Sequence, residues 1–357
     1  MKIGIILGTR PEIIKMSPVI RLCENKSIDY FILHTGQHYS YRMDKVFFEE
    51  LELPDPDYNL EVGSGDQGEQ TAKIMTGVEK VLLMEKPEII LVEGDTNTVL
   101  AGALAAVKMG IKIGHVEAGL RSYDRSMPEE INRILTDHCA DYLFAPTDTA
   151  ESNLLHEGIP KIKITVCGNT VVDAVRQNLS IAKNNQNILS SLHLQPKEYL
   201  LLTAHRQENV DVRSRLQGIF DGMGRVYDEC ALPILFPVHP RTRKRIADFQ
   251  LATPKGLELV EPFGYLDFLQ LEEHARLVMT DSGGIQEECC VMQVPCITLR
   301  DNTERPETLD AGANMLVGCD PKRIIEGFRQ MIDKKRQWQN PFGDGKTAER
   351  IIEIMGV

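Results

Sequence analysis

Three carboxylates, one histidine and a glycine-rich turn are the residues of this 357-residue chain best placed to do chemistry. Asp95, Glu117 and Glu129 lie near the ends of apolar runs or in the loop that follows, and His205 follows another run, Leu200–Thr203. Acids near one site with a histidine form an acid–base set able to take a proton from carbon and return it. Asp281-Ser-Gly-Gly-Ile-Gln-Glu-Glu288 is the sharpest local signal. Its two glycines let backbone N–H groups approach an anion at a helix start. Ser282 either caps that helix or bonds a phosphate, and Glu288 is spaced to accept from a ribose diol. Gly8-Thr-Arg-Pro-Glu12 is a second such turn, with Arg10 and Lys15 near the helix start. His115 lies inside an apolar run and reads as a core histidine.

The elements that must position these residues alternate along the chain. Apolar runs at Lys2–Leu7, Tyr30–His34, Glu88–Glu93, Lys112–Glu117, Tyr142–Ala145 and Ile162–Cys167 are separated by helical stretches. The pattern resumes at Tyr199–Ala204, Ile234–Val238, Leu257–Val260, Leu277–Thr280 and Cys296–Leu299. Continuous apolar strands between helices make a parallel sheet covered on both faces. Eleven strands exceed one ordinary open sheet, so the sequence predicts an α/β protein of two doubly wound domains. In such folds ligands sit beyond the carboxyl ends of strands, where the candidate residues fall. A shared cleft between the domains is the expected site.

Hydrophobic residues are 42% and charged residues 26%, as in globular proteins, and 52 acids against 40 bases give −12. That charge argues against nucleic-acid or anionic-membrane partners and leaves room for a small anion held by a few arginines. The apolar run Ile3–Leu7 is too short for a leader or a membrane span. Eight scattered cysteines without a CxxC pair indicate reduced core thiols and a cytoplasmic protein. Two decoys are set aside. Gly63-Ser-Gly-Asp-Gln-Gly68 matches a dinucleotide fingerprint but follows no buried strand, and Gly345-Lys-Thr347 lacks the upstream glycine of a phosphate loop.

Taken together, GTRPE at 8–12 with Lys15, TGQH at 35–38, EGDT at 93–96, HVEAGLRS at 115–122, MPEEINR at 127–133, HRQEN at 205–209, DSGGIQEE at 281–288 and RDNTERPE at 300–307 resemble the non-hydrolysing UDP-N-acetylglucosamine 2-epimerases. The resemblance runs from residue 1 to about residue 320. It implies a GT-B type fold of two Rossmann-like domains facing across a cleft. These are residues 1–168, with the C-terminal helix 343–357 packing back on them, and a UDP-binding domain at 169–342. It further implies a homodimer that needs no metal or redox cofactor. Asp95, Glu117 and Glu129 match the family's catalytic carboxylates, and His205 its active-site histidine. Arg10, Lys15, Phe268, Ser282, Gly283, Gly284, Glu288 and Arg305 match its UDP-holding residues; Phe268 and Arg305 rest on the resemblance alone. The implied reaction interconverts UDP-N-acetylglucosamine and UDP-N-acetylmannosamine at C2, for surface polysaccharide or glycan biosynthesis. A hydrolysing or diacetamido-uronate sister epimerase, a GT-B glycosyltransferase and a non-catalytic nucleotide-sugar sensor are the competing readings.

Overall fold

The computed structural model describes residues 1–36, 41–184 and 187–356. Gln37 and His38 of the TGQH string and Val357 of the expected last helix lie outside these. The chain divides into two compact units, Met1–Gln177 with Phe342–Val357, and Asn178–Pro341. The first division falls inside the helix Thr170–Asn184.

The first unit is built on seven parallel strands: β1 (Ile3–Leu7), β2 (Tyr30–His34), β3 (Tyr58–Asn59), β4 (Ile89–Glu93), β5 (Lys112–Val116), β6 (Tyr142–Ala145) and β7 (Ile164–Val166). Their spatial order is β3-β2-β1-β4-β5-β6-β7, with β1 pairing β2 on one side (Ile3 to Tyr30) and β4 on the other (Ile3 to Ile89). Every residue of β1 and of β4 is buried. That is why both read as unbroken apolar runs rather than alternating ones.

The second unit repeats the plan with β8 (Leu200–Thr203), β9 (Ile234–Pro237), β10 (Leu257–Val260), β11 (Leu277–Thr280), β12 (Cys296–Thr298) and β13 (Asn314–Leu316), in the order β10-β9-β8-β11-β12-β13. Successive side chains of β8 enter opposite cores, since a strand alternates its faces. Leu200 and Leu202 pack with Ile219, Phe220, Ile324 and Phe328, whereas Tyr199 and Leu201 pack with Leu271, Ile285, Cys289 and Cys296.

Both sheets therefore reverse direction of growth beside their first strand, between β1 and β4 and between β8 and β11. A doubly wound sheet opens a crevice at that point, at the carboxyl ends of the strands. The eleven expected strands are all present, some as expected and the others trimmed by one to three residues. Two more, β3 and β13, are edge strands of two and three residues, too short to leave a periodic signal. The helix Thr347–Met355 packs on the helix Arg10–Lys26 of the first unit. Asp173 accepts from its first-turn N–H groups, Thr347 at 3.3 Å and Ala348 at 3.1 Å. Among the described residues no helix is long and apolar enough to cross a membrane.

Candidate functional site

In the first unit the chemistry gathers at the ends of β1, β4 and β5. The helix Arg10–Lys26 starts two residues after β1, with Pro in its first turn. Its third residue, Glu12, folds back over the start. Its carboxylate accepts from Gly8 N (2.6 Å), Thr9 Oγ1 (3.1 Å) and Thr96 Oγ1 (2.6 Å). Glu12 thus fills the donor-rich helix start itself, a variant of the Thr-x-x-Glu capping box. Burial pushes its carboxyl up to about 7, against the pull of those hydrogen bonds. Gly8 cannot be larger, because a Cβ would collide with the Thr98 hydroxyl.

Lys15, one turn further, is buried and reaches Glu117, with Glu93 Oε1 at 3.5 Å. Glu117 directly follows β5 and holds a left-handed backbone, φ 68°. A bulky residue pays strain for this conformation, of order 1–3 kcal/mol, and such outliers concentrate at functional sites. Asn169 Nδ2 donates to the same Glu117 oxygen at 3.2 Å. Burial lifts the neighbouring Glu93 carboxyl well above its ordinary value; Lys15 opposes this, while Glu117, Glu12 and Asp95 reinforce it. Two carboxyl groups on one ammonium, with further acids close to Glu93, make a site able to hold and pass protons.

Asp95 and Glu129 line one cavity of about 200 Å³, together with Ser64, Gly65, Gln67 and Asn132. Glu117 is not among its lining residues. Amide side chains fix the cavity walls: Asn97 Nδ2 donates to Gln67 (2.7 Å) and Gln70 (2.8 Å), and Asn132 Nδ2 to the Asp95 carbonyl (2.9 Å). The glycine-rich 63–68 segment, set aside as a dinucleotide loop, instead rims this cavity. The structure also separates two adjacent acids. Glu130 is buried and accepts from Ser122 N and Tyr123 N, both at 2.9 Å, which pins the loop after β5. Glu129 faces out. His115 is a core histidine, with Nδ1 2.7 Å from Asp137 and Nε2 2.9 Å from the Gly94 carbonyl. Arg10 lies over the Phe47 ring at 5.4 Å.

In the second unit His205 follows β8 and meets Asp281, which follows β11. Its backbone N–H donates to both Asp281 oxygens (3.1 and 3.0 Å), and its Nδ1 lies 3.3 Å from Oδ1. Asp281 is fully buried, so it orients a half-exposed imidazole from behind. Ser282 is the N-cap of the helix Gly283–Val291 but makes no side-chain capping bond. Its hydroxyl therefore does not cap the helix, contrary to one of the two sequence readings. A Cβ on Gly283 would stand 2.8 Å from Glu304 Oε1. Glu304 is buried and bonds Arg206 (3.2 Å) and Arg300 (2.8 Å). Burial alone would raise its carboxyl, but Arg305, Arg300 and Arg206 hold it down to about 2. Arg305 Nε lies 2.6 Å from Glu287, Glu288 accepts from Tyr265 (2.9 Å), and Phe268 packs against the Leu201 side of the sheet.

Sequence reading assigned no role to Glu12, Gln70, Asn97, Asn132, Asp281 or Glu304. Only Glu12 had a local signal, the capping-box spacing from Thr9.

A family model described as UDP-N-acetylglucosamine 2-epimerase matches residues 21–356. A Methanocaldococcus jannaschii UDP-N-acetylglucosamine 2-epimerase is 56% identical over 361 residues, covering 99% of each chain. Its crystal structure in complex with UDP-GlcNAc and UDP superposes with a TM-score of 0.92 at 57% identity, covering 100% of this chain and 99% of that one. A Pseudomonas aeruginosa UDP-2,3-diacetamido-2,3-dideoxy-D-glucuronate 2-epimerase is 41% identical over 360 residues, again covering 99% of each chain. The fold is of the GT-B type. Likeness of this depth along the whole chain leaves no room for a merely shared architecture, and the protein belongs to the UDP-N-acetylglucosamine 2-epimerase family.

Proposed function

We propose that this chain reversibly inverts C2 of UDP-N-acetylglucosamine, giving UDP-N-acetylmannosamine without net hydrolysis. The C2 proton has no adjoining carbonyl and is not acidic, so direct removal and return is too slow. Elimination avoids the problem. A carboxylate takes the C2 proton, the C–H electrons form the C1–C2 double bond, and the C1–O bond breaks to release UDP. The 2-acetamidoglucal that remains then takes UDP back at C1 and a proton at C2 from the opposite face. Asp95, Glu117 and Glu129 are the candidates for the two proton transfers. The Ser282–Gly284 helix start, with His205, Arg10 and Lys15, stabilises the departing diphosphate, Phe268 and Arg305 help hold UDP, and Glu288 accepts from the ribose diol. The observation that carries the reading is Glu117, a strained acid bound to Lys15 at the end of β5.

The division of domains follows the family, with residues 1–168 and 343–357 against 169–342. The protein acts as a homodimer in the cytoplasm, a location that suits its eight free cysteines.

Incubation with UDP-N-acetylglucosamine in deuterium oxide tests it. Deuterium on C2 of both nucleotide sugars, with both still linked to UDP, is expected. Free N-acetylmannosamine plus UDP would instead identify a hydrolysing enzyme. The Pseudomonas relative favours one second reading, a diacetamido-uronate substrate, and offering both nucleotide sugars in competition decides between them.

A further inference from the structure

Behind Asp281 stands an amide that the reaction does not touch. Asn209 is the third residue of the short helix Gln207–Val210 and is fully buried. Its Nδ2 donates to Asp281 Oδ2 at 3.1 Å and to the carbonyl of Leu299, the residue after β12, at 2.8 Å. Its Oδ1 accepts from Arg215 Nε at 3.1 Å and from the Cys319 thiol at 3.0 Å. Arg215 belongs to the helix Arg213–Cys230, and Cys319 follows β13.

An asparagine side chain offers two N–H donors and two acceptor lone pairs, and here all four are used. Reversing the amide would set its oxygen against the Asp281 carboxylate and the Leu299 carbonyl, and its N–H groups against a guanidinium and a thiol. Its direction is therefore fixed, and a buried network satisfied at every member is rigid.

Asp281 receives the benefit. Its two backbone donors, His205 N and Arg206 N (3.0 Å to Oδ2), come from consecutive residues, and by themselves they leave the carboxylate free to swing about them. The Asn209 amide adds a donor to Oδ2 from a separate element. With Oδ2 held, Oδ1 stays 3.3 Å from His205 Nδ1. A carboxylate at that position selects the ring form with its proton on Nδ1 and leaves Nε2 for the substrate.

We propose that Asn209 is a positioning residue, the amide that locks Asp281 and through it the tautomer and direction of the His205 ring. The inference rests on the reading that His205 serves the departing diphosphate.

Two measurements on the full chain test it: steady-state turnover of UDP-N-acetylglucosamine, and nitrogen NMR of the histidine-labelled protein at pH 8, with the His205 signals assigned by their loss in His205→Asn. Asn209→Ala should lower kcat about tenfold with KM within about twofold, and move His205 from the Nδ1–H form toward the Nε2–H form. Arg215→Met removes a donor from the far end of the amide. Its side chain is partly exposed, so the variant keeps the fold, and kcat should fall about threefold with the ring spectrum shifted in the same direction. A parent-like kcat in Asn209→Ala, a loss confined to KM or to melting temperature, or an unchanged His205 spectrum overturns the proposal. If Asn209→Ala does not fold, a parent-like rate and spectrum in Arg215→Met overturn it instead. Parent-like turnover in His205→Asn is a separate failure, which removes the role of His205 itself.

Discussion

The Lys15 ammonium meets the Glu117 carboxylate while Glu117 holds a left-handed backbone at φ 68°. Strain and ion pair act on one side chain, and together they fix its direction at the end of β5. Glu117→Gln keeps the shape and removes the charge. It should lower kcat by roughly 10²- to 10⁴-fold while UDP affinity stays within about twofold. Turnover near that of the parent would remove Glu117 from the proton-transfer set.

Glu129 and Glu130 are neighbours with opposite expected phenotypes. Glu129→Ala alters an exposed side chain at the cavity, so turnover should fall by orders of magnitude with thermal stability unchanged. Glu130→Ala leaves the Ser122 and Tyr123 N–H groups without their acceptor and should cost about 1–3 kcal/mol of stability. Kinetics and a melting curve on both variants check the contrast.

In the second unit, Gly283→Ala places a methyl 2.8 Å from the Glu304 carboxylate and crowds the helix start. UDP should bind at least about tenfold more weakly, with the melting temperature nearly unchanged. Asp281→Asn should lower turnover by about 10²-fold, because His205 loses the carboxylate that orients its ring. A parent-like rate in Asp281→Asn would mean that His205 needs no such partner.

Two buried groups of the first unit oppose each other in their response to pH. Burial lowers the His34 imidazole to about 4. Its share of stability is present above about pH 6.5 and is lost as pH falls toward 4. Burial raises Glu12 to about 7, so its share is present below about pH 4.5 and is lost as pH rises through 7. Each is worth about 3 kcal/mol by linkage. Relative to the parent, His34→Phe should therefore gain stability as pH drops from 6.5 to 4.5, and Glu12→Gln should gain it as pH rises over the same range. Urea unfolding at the two pH values reads both signs.

How much of this was legible varies with the physics of each residue. Strands β1, β4, β5, β8 and β11 are central and buried, so their apolar runs announced them and located Asp95, Glu117, His205 and Ser282 at their ends. Edge strands β3 and β13 bury too little to leave a mark. Gln70, Asn97 and Asn132 owe their roles to partners 27 to 37 residues distant, which spacing cannot show. Lys15 was read as a phosphate ligand from its place near a helix start. The same spacing also brings it to Glu93 and Glu117, which come from β4 and from the residue after β5.

The order in which the chain leaves the ribosome differs from the order in which its two units are completed. The unit Asn178–Pro341 is one uninterrupted stretch and can acquire its native packing as soon as it emerges. The unit that begins synthesis must wait for Asp173 to receive Thr347 and Ala348, residues translated near the close. Maturation thus runs middle first, against the usual amino-terminal precedence. A released chain truncated after Pro341 should protect its central portion from protease and leave its opening portion open to cleavage.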